Sequence, residues 1–276
     1  MAKSLSDALE FVVRTDAGIV RGHNEDAVFA NPNQGLAILA DGMGGYNAGE
    51  VASSMATTLL ATEFEAAFDA TAPCAIDAET GHSFAHRCIV EKIGATNLAI
   101  FHAAESQPQY AGMGTTLVLA LFHDNMVTVA HIGDSRLYRL RGGLLEAITR
   151  DHSLLQEQID SGLISIDEAR HAQNRNLVTR ALGVDPDVNA EIHDHAVLPG
   201  DLYLLCSDGL NDMVEDAELQ LVLQTCGTHL ERAAQQLIQA ANDHGGRDNV
   251  SVILVRVLRE FPVAGNWLSK LVACFK

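Results

Sequence analysis

Short acidic motifs recur at widely separated points of the 276-residue chain, in residue types suited to binding divalent metal ions. They are Asn24-Glu25-Asp26, Asp41-Gly42, Gly133-Asp134-Ser135, Ser207-Asp208-Gly209 and Asp248-Asn249. Apolar runs precede Asp41 and Asp208, at Leu36–Ala40 and Leu202–Cys206, and both runs are typical of buried strands. Since an unpaired buried carboxylate costs on the order of several kcal/mol, these acids are expected to pair with cations or to bind metal.

The chemistry that these acids predict is metal-assisted attack on phosphorus. Hard oxygen ligands favour Mg²⁺ or Mn²⁺ over zinc, which prefers histidine and cysteine. Two ions about 3.5 to 4 Å apart can share a bridging carboxylate and activate a water between them. The glycines of Asp41-Gly-Met-Gly-Gly45 allow the backbone to approach an ion closely. Arg21 supplies a planar guanidinium suited to the oxygens of a substrate phosphate.

Simpler interpretations compete for several of these residues. Asp134 could pair with Arg136, and Arg21 could form only a surface salt bridge. The segment Gly112–Thr116 precedes a strand and lacks the lysine of a phosphate-binding P-loop, so a structural turn is favoured there. His193-Asp194-His195 has no helical spacing, which indicates surface histidines and not a zinc site, and a structural role is favoured for His152.

Composition narrows the class of protein. The formal charge of −18 and the pI near 4.9 argue against nucleic-acid binding and against anionic lipid surfaces, which require clustered Lys and Arg. The five cysteines are widely spaced without a Cys-x-x-Cys pair, as expected of free thiols in a reducing cytoplasm. The first ten residues have no apolar signal region, and no apolar stretch is long enough to span a membrane. A cytoplasmic, monomeric protein is therefore expected.

Strand and helix patterns are both present. Strand-like runs lie at Phe11–Thr15, Val28–Ala30, Leu36–Ala40, Thr115–His123, Met126–Ile132, Arg136–Arg141, Leu202–Ser207 and Val250–Val257. Asp124-Asn125 suits a tight hairpin turn, and Arg141-Gly142-Gly143 suits the next turn of an antiparallel meander. Helical spacing occurs at Gly49–Phe68, Phe84–Ala104, His152–Ser161, Ile166–Ala172, Ala217–Gln224 and Leu230–His244. The long helices are expected to cover sheets from outside.

No linker or internal repeat divides the chain, which predicts a single catalytic domain over residues 1–258. Within it, the polar segment at about 150–181 is expected to form a flap, either bordering the binding cleft or as a solvated connection. Residues 259–276 form a predicted amphipathic tail, with an apolar stripe that includes Trp267, Leu271 and Phe275. Packing on the parent domain is favoured for this tail over contact with a partner or a membrane surface.

The motifs together resemble a known family. Arg21-Gly-His-Asn-Glu-Asp26, Asp41-Gly-Met-Gly-Gly45, Gly112-Met-Gly-Thr-Thr116, Gly133-Asp-Ser-Arg136, Arg150-Asp-His-Ser153, Thr179-Arg-Ala-Leu-Gly183, Ser207-Asp-Gly209 and Gly246-Arg-Asp-Asn249 occur in the order found in metal-dependent serine/threonine protein phosphatases of the type 2C class, in their compact bacterial form. The resemblance extends from about Phe11 to Val257. One fragment alone would be weak, whereas eight in order are specific.

The resemblance implies an α+β fold, a four-layer α/β/β/α sandwich with two central antiparallel sheets flanked by helices. It implies two Mn²⁺ or Mg²⁺ ions, with Asp41, Asp208 and Asp248 holding the first, and Glu25, Asp41 and the Gly42 carbonyl holding the second. Asp41 thus bridges the pair. Asp26 and Asn249 would support this shell, and Asp134 would help Asp208 hold a weaker third ion. Arg21 would bind the phosphate, making Arg21 and Asp41 the implied catalytic residues.

The implied reaction is hydrolysis of phosphoserine or phosphothreonine on proteins by a water or hydroxide bridging the metals. No phosphoenzyme intermediate is expected, and the partners would be phosphorylated proteins, including a serine/threonine kinase that the enzyme opposes. Some family members carry a histidine as proposed general acid where this chain has Met43, which cannot donate a proton, so water on a metal is the expected donor. Rival hypotheses are a metal-binding pseudophosphatase without turnover and an aspartyl-nucleophile phosphohydrolase, whose Asp-x-Asp spacing recurs only at Asp185-Pro186-Asp187.

Overall fold

Alternating apolar runs and tight turns build two antiparallel β-sheets in the computed structural model, which describes residues 4–45, 47–76, 81–165, 168 and 177–262. The strands of the first sheet, in spatial order, are β1 (Leu9–Asp16), β11 (Val250–Val257), β10 (Leu202–Cys206), β7 (Arg136–Arg141) and β8 (Leu144–Ala147). The strands of the second sheet are β2 (Asp26–Asn31), β3 (Leu36–Met43), β5 (Leu117–His123), β6 (Met126–Ile132) and β9 (Glu191–Ala196), and the short β4 (Gly114–Thr115) also pairs with β3.

Helices cover the outer face of each sheet. Two helices of 23 residues, α1 (Ala48–Ala70) and α2 (Phe84–Ser106), pack together over the second sheet. The first sheet is covered by α5 (Asp216–Cys226) and α6 (Leu230–Asp243). The short helices α3 (Leu154–Asp160) and α4 (Asp208–Asn211) lie in the connections between strands, and a 3₁₀ turn spans Pro108–Tyr110.

Three apolar layers hold these elements together. The central layer lies between the sheets, where Phe122 meets the Tyr203 ring edge-to-face with centroids 5.2 Å apart. The outer layers lie between the second sheet and α1 with α2, and between the first sheet and α5 with α6. This arrangement confirms the expected α/β/β/α sandwich.

Several local predictions are confirmed. β5 and β6 form a hairpin in which Asp124 and Asn125 both have positive φ, 46° and 59°, as a tight primed turn requires. Gly142 and Gly143, with φ of 58° and 83°, close the β7–β8 hairpin. The four cysteines within the described residues, Cys74, Cys88, Cys206 and Cys226, are free thiols.

Other predictions are revised or untested. The single strand expected over Thr115–His123 is interrupted at Thr116, and β8 and β9 were not predicted. In the flap, α3 corresponds to the helix predicted over His152–Ser161, whereas the helix predicted over Ile166–Ala172 falls almost wholly outside the described residues. Cys274 and the apolar stripe of the predicted tail also lie outside them.

Candidate metal centre

The antiparallel topology brings the predicted acids to one end of the sandwich. Asp26 opens β2 and stands directly opposite Asp41 in β3. Asp208 follows β10 and Asp248 precedes β11, and because these strands are antiparallel neighbours both acids lie at the same end of the first sheet. Asp134 lies in the connection from β6 to β7, which joins the two sheets. Electrostatic interactions link Asp41 with Asp26, Asp208 and Asp134.

Main-chain hydrogen bonds fix the bridging candidate, Asp41. Its N–H donates to Thr116 Oγ1 at 3.0 Å, and its carbonyl accepts from Thr115 Oγ1 at 2.8 Å and from the Thr116 N–H at 2.9 Å. The Thr116 hydroxyl also bonds Ser135 Oγ at 2.7 Å. Gly112–Thr116 is therefore a supporting segment, as favoured from the sequence. The supporting roles of Thr115, Thr116 and Ser135 were not foreseen.

Burial and mutual repulsion raise the pKa values of the clustered acids. Burial raises the pKa of Asp41 well above its usual value, and the nearby Asp26 and Asp208 charges add to this effect. The pKa of Asp208 is also raised well above its usual value, by burial and then by the Asp134 charge. Burial raises the pKa of Asp26 to about 6, although hydroxyl groups of Ser251 and Ser207 oppose the shift. Such a site needs positive charge to keep its acids ionised near neutral pH.

Three buried carboxylate oxygens show whether the site suits metal ions. Glu25 Oε1, Asp26 Oδ1 and Asp208 Oδ1 are buried and have no hydrogen-bond partner among the described residues. A buried oxygen without a donor is destabilising, whereas a coordinated cation satisfies it. The donors are carboxylates beside a glycine carbonyl, a set that suits Mg²⁺ or Mn²⁺. The residues present therefore fit divalent ions with oxygen ligands.

Close backbone packing explains the glycines of the site. A Cβ on Gly42 would collide with the Gly49 carbonyl in the first turn of α1 and would lie 2.7 Å from the Glu25 carbonyl. The Gly42 N–H also donates to that Glu25 carbonyl at 3.1 Å. Gly209 packs equally tightly, since its Cβ would collide with the Asn249 carbonyl. In both Asp-Gly pairs, the backbone beside the acid packs so closely against a neighbouring segment that only glycine fits.

Polar side chains tie the two sheets together beside the acids. Asn249 Oδ1 accepts from the Glu25 N–H at 2.8 Å, and its Nδ2 donates to the Ala17 and His23 carbonyls, each at 2.9 Å. The Ser207 hydroxyl donates to Asp26 Oδ2 at 2.8 Å. Asn249 thus holds the loop that carries Glu25, and Ser207, which sequence reasoning did not single out, orients Asp26.

Arg21 lies at the rim of this cluster. Its Nη2 donates to Asp248 Oδ2 at 2.7 Å, and its side chain is half exposed. This hydrogen bond raises the pKa of Arg21, so the guanidinium remains charged. The contact anchors one edge of the guanidinium to a candidate metal ligand, and the exposed remainder is available to an anion.

Asp134 is buried. It does not form the ion pair with Arg136 that was the alternative to a metal-binding role. The Arg136 guanidinium instead forms a two-pronged pair with Asp151, at 2.8 and 2.7 Å. Burial, followed by the charge of Asp151, raises the pKa of Asp134 to about 7. Within the described residues Asp134 forms no ion pair, and Arg136 acts on it only through its charge.

A second group of potential ligands lies near the flap. His131, His152 and Glu191 are the one trio of His, Cys, Asp or Glu residues in the described ranges whose ligand atoms all lie within 4.8 Å of one another. The His131 and His152 rings stack with centroids 4.7 Å apart and planes 17° apart. Ring nitrogens of both histidines are already used in hydrogen bonds to the main chain, since His131 Nε2 bonds the Arg150 carbonyl at 2.8 Å and His152 Nδ1 accepts from the Gly133 N–H at 3.2 Å. His193, expected to be an ordinary surface residue, joins the group by bonding Glu191 at 2.8 Å. The oxygen-rich acid cluster remains the candidate metal centre.

Comparison with known proteins assigns the family. Residues 19–254 match the family model described as Protein phosphatase 2C. This chain belongs to the protein phosphatase 2C family. It is 41% identical over 245 residues to the serine/threonine phosphatase stp of Listeria monocytogenes, covering 88% of this chain and 93% of that protein.

Solved structures agree with this family assignment. The crystal structure of the Mycobacterium tuberculosis serine/threonine phosphatase PstP/Ppp matches with a TM-score of 0.81 and 37% identity, covering 91% of this chain and all of that one. The catalytic domain of PstP in complex with two manganese ions matches with a TM-score of 0.77 and 38% identity over 91% of this chain and 99% of that one. The expected family, fold and enzyme class, a metal-dependent protein serine/threonine phosphatase, are confirmed. Within the described residues of this phosphatase, no helix has the length and apolar character needed to cross a bilayer.

Proposed function

We propose that this chain hydrolyses phosphoserine and phosphothreonine on proteins at the acid cluster, with Arg21 binding the phosphate. The observation that carries the proposal is a set of buried oxygens on Glu25, Asp26 and Asp208 that have no hydrogen-bond partner in the described part of the chain and lie near the half-exposed Arg21 guanidinium. This combination offers cation sites next to an anion site, as a phosphate monoesterase of this class requires.

The residues divide into two ligand sets. Asp41, Asp208 and Asp248 would hold one ion, and Glu25, Asp41 and the Gly42 carbonyl would hold the other. Divalent ions bound there would lower the pKa of a water that serves as nucleophile and would neutralise charge on the phosphoryl group. Electrostatic interactions of Asp41 with Asp26 and Asp208, and of Asp208 with Asp248, support a shared site for these ligands.

The chain's own groups prepare the reaction. Asp248 holds the Arg21 guanidinium at the rim, so little side-chain freedom is lost when phosphate oxygens bind. Asn249 fixes the Glu25 loop, and Ser207 directs Asp26 by donating to one of its oxygens. We assign no side chain as proton donor to the leaving alkoxide, since Met43, where some relatives of the family have histidine, carries no acidic proton.

The finer points of the proposal concern ions and partners. Mn²⁺ or Mg²⁺ would occupy the two main sites, and Asp134 with Asp208 would hold a weaker third ion. The electrostatic interaction between these two acids supports their sharing a cation. We also propose that the protein acts as a cytoplasmic monomer opposing a serine/threonine kinase. The free thiols support a reducing compartment, and membership of the phosphatase family supports the opposition to a kinase.

The test is hydrolysis of p-nitrophenyl phosphate and of a phosphothreonine peptide with Mn²⁺, with Mg²⁺ or with chelator. We expect turnover only with metal, and a loss of at least about 100-fold in Asp41→Asn and Asp208→Asn, because each change removes a charged ligand. Asp187→Asn is the matched control, since it makes the same charge change at an exposed position. Turnover in chelator, or full activity in either site variant, would overturn the proposal. Peptide binding without turnover in the metal-loaded protein would reveal a pseudophosphatase instead.

A further inference from the structure

His152 joins the base of the flap to the loop that carries Asp134. Its backbone N–H donates to the Gly133 carbonyl at 2.9 Å, and its side-chain Nδ1 accepts from the Gly133 N–H at 3.2 Å. Its own carbonyl accepts from the Thr179 N–H at 2.8 Å, on the returning side of the flap. His152 therefore forms hydrogen bonds with both the N–H and the carbonyl of Gly133, and it also links the two strands of chain at the base of the flap.

The hydrogen bonds fix the state of the imidazole. Since a backbone N–H can only donate, His152 Nδ1 must be an unprotonated acceptor, and the ring proton lies on Nε2. That Nε2 faces Glu191 Oε2 at 3.2 Å, and His193 holds the other Glu191 oxygen at 2.8 Å. Burial lowers the pKa of His152, so the neutral ring persists near pH 7 even though Glu191 opposes the shift.

The neighbouring histidine supports the same orientation. His131 stacks on the His152 ring, and its Nε2 donates to the Arg150 carbonyl at 2.8 Å. Burial also lowers the pKa of His131, so both stacked rings stay neutral. The His152 ring is thus held by His131 on its face and by Glu191 at its edge.

Gly133 connects His152 to the candidate metal centre, because it precedes Asp134 in the chain. Its φ of 98° lies in the left-handed region, and a Cβ there would lie 2.7 Å from Thr116 Cγ2. The next residue, Asp134, is 6% exposed and interacts electrostatically with Asp208 and Asp41. The direction of the Asp134 carboxylate therefore depends on how firmly the Gly133 peptide is held.

We propose that His152 is a positioning residue that clamps Gly133 and so aims Asp134 at the metal centre, with Glu191 fixing the required tautomer. The consequence for ion binding rests on the proposed function, whereas the clamp itself is a property of the metal-free protein. His152 does not touch the reacting atoms in this scheme. Through Gly133, the packing of His152 at the flap base would affect how tightly Asp134 binds its ion.

Two variants of His152 distinguish the effect of the Nδ1 hydrogen-bond acceptor from the effect of the shape of the ring. His152→Asn places an amide oxygen near the Nδ1 position and can keep the Gly133 bond, whereas His152→Phe keeps the ring shape and loses the acceptor. Glu191→Ala releases Nε2 from a partly exposed partner and does not alter the core, so it serves if His152→Phe fails to fold. His123→Phe is the control, because His123 is also buried and bonds Thr128 at 2.9 Å, but beside the β5–β6 turn at the opposite end of the sheet.

Hydrogen–deuterium exchange of the segment 131–135 in chelator tests the clamp directly. We expect exchange to be about tenfold faster in His152→Phe, because a buried donor loses its acceptor, and faster to a smaller degree in Glu191→Ala. His152→Asn and His123→Phe should stay within about twofold of wild type there. Unchanged exchange in both His152→Phe and Glu191→Ala, or equally fast exchange in His152→Asn and His152→Phe, would overturn the clamp.

Mn²⁺ titration then tests the consequence by calorimetry and by turnover. We expect His152→Phe to need about tenfold more Mn²⁺ for half-maximal binding and activation, with a smaller change in KM for the phosphopeptide. Wild-type metal dependence in His152→Phe would overturn the link to Asp134. An inactive wild-type protein would instead refute the proposed function, while the exchange result would still stand.

Discussion

Replacing Asp134 with asparagine should stabilise the metal-free protein above neutral pH. Asp134 is 6% exposed, and burial followed by the charge of Asp151 raises the pKa of its carboxyl from 3.8 to about 7. Between those values the folded protein holds a proton that the unfolded chain has released. The free energy of unfolding therefore falls as pH rises through this window, and the stabilising contribution of the protonated carboxyl is lost above about pH 7.

The size of the effect follows from the two pKa values. The difference between about 7 and 3.8 corresponds to about 4 kcal/mol at roughly 1.36 kcal/mol per pKa unit. This is an upper limit, because asparagine is itself a buried polar group that must find hydrogen bonds. We expect a gain of about 2 to 4 kcal/mol at about pH 8, which in a domain of this size corresponds to a Tm increase of about 4 to 8 °C. At about pH 5 the unfolded wild-type chain has still released its proton, so at most about 1.6 kcal/mol of the difference should remain, at roughly 1.36 kcal/mol per pKa unit, and the difference should disappear only below about pH 3.8.

Thermal and urea unfolding of chelated protein across this pH range measure the effect. Asp187→Asn makes the same change in net charge at an exposed site and should leave the pH dependence unaltered. A destabilised Asp134→Asn protein at about pH 8, or the same difference at both pH values, would refute the claim that Asp134 is strained by burial among acids. In Mn²⁺ the advantage should shrink or reverse, because the variant loses a charged ligand.

Three further predictions test other parts of the molecule. Arg21→Lys should lower kcat/KM for a phosphothreonine peptide by about 10- to 100-fold, because a point charge replaces the planar fork, with an unchanged Tm showing that the fold is intact. Mn²⁺ should raise the Tm more at about pH 8 than at about pH 5, since ions and protons compete for carboxylates whose pKa values are raised; an equal rise at both would contradict this. Phe122→Ala should lower the free energy of unfolding by about 3 to 5 kcal/mol in urea melts, because the fully buried ring packs on Tyr203 between the sheets.

The strand ends that carry the acids could be predicted because the sequence signal is strong there. The Leu36–Ala40 and Leu202–Cys206 runs are buried, and an acid directly after a buried run predicts a cation or metal ion as its partner. The order of strands within each sheet could not be derived from periodicity, which reports only which face is buried. The expected sandwich came from the family resemblance, and pairings such as β1 with β11 join opposite ends of the chain.

The elements that were missed carry weak signals for physical reasons. β9 lies at the edge of its sheet, and four of its six residues are Glu, Asp or His, so Glu191–Ala196 has the composition of a surface loop although it pairs with β6 over six residues. Thr115, Thr116 and Ser207 lie in motifs of the family resemblance, but their supporting roles were not predicted, because the sequence does not show whether a threonine or serine hydroxyl bonds a neighbouring segment or faces solvent. The Arg136–Asp151 pair was also missed, because the sequence suggested only Asp134 as an alternative partner for Arg136 and gave no information about which residues of the flap base lie beside β7.

The separation between core and site explains how the fold tolerates so many adjacent acids. Between the sheets the packing is apolar, and Phe122 and Tyr203 set the distance between the layers without reference to charge. At the acid-bearing end the layers are joined by polar links instead, Ser207 to Asp26 and Asn249 to the Glu25 N–H. Repulsion among the carboxylates therefore acts on loops and strand ends and not on the core. Removing the ions should accordingly loosen this end first, while amide exchange in the central strands β5 and β10 stays slow until the whole domain unfolds.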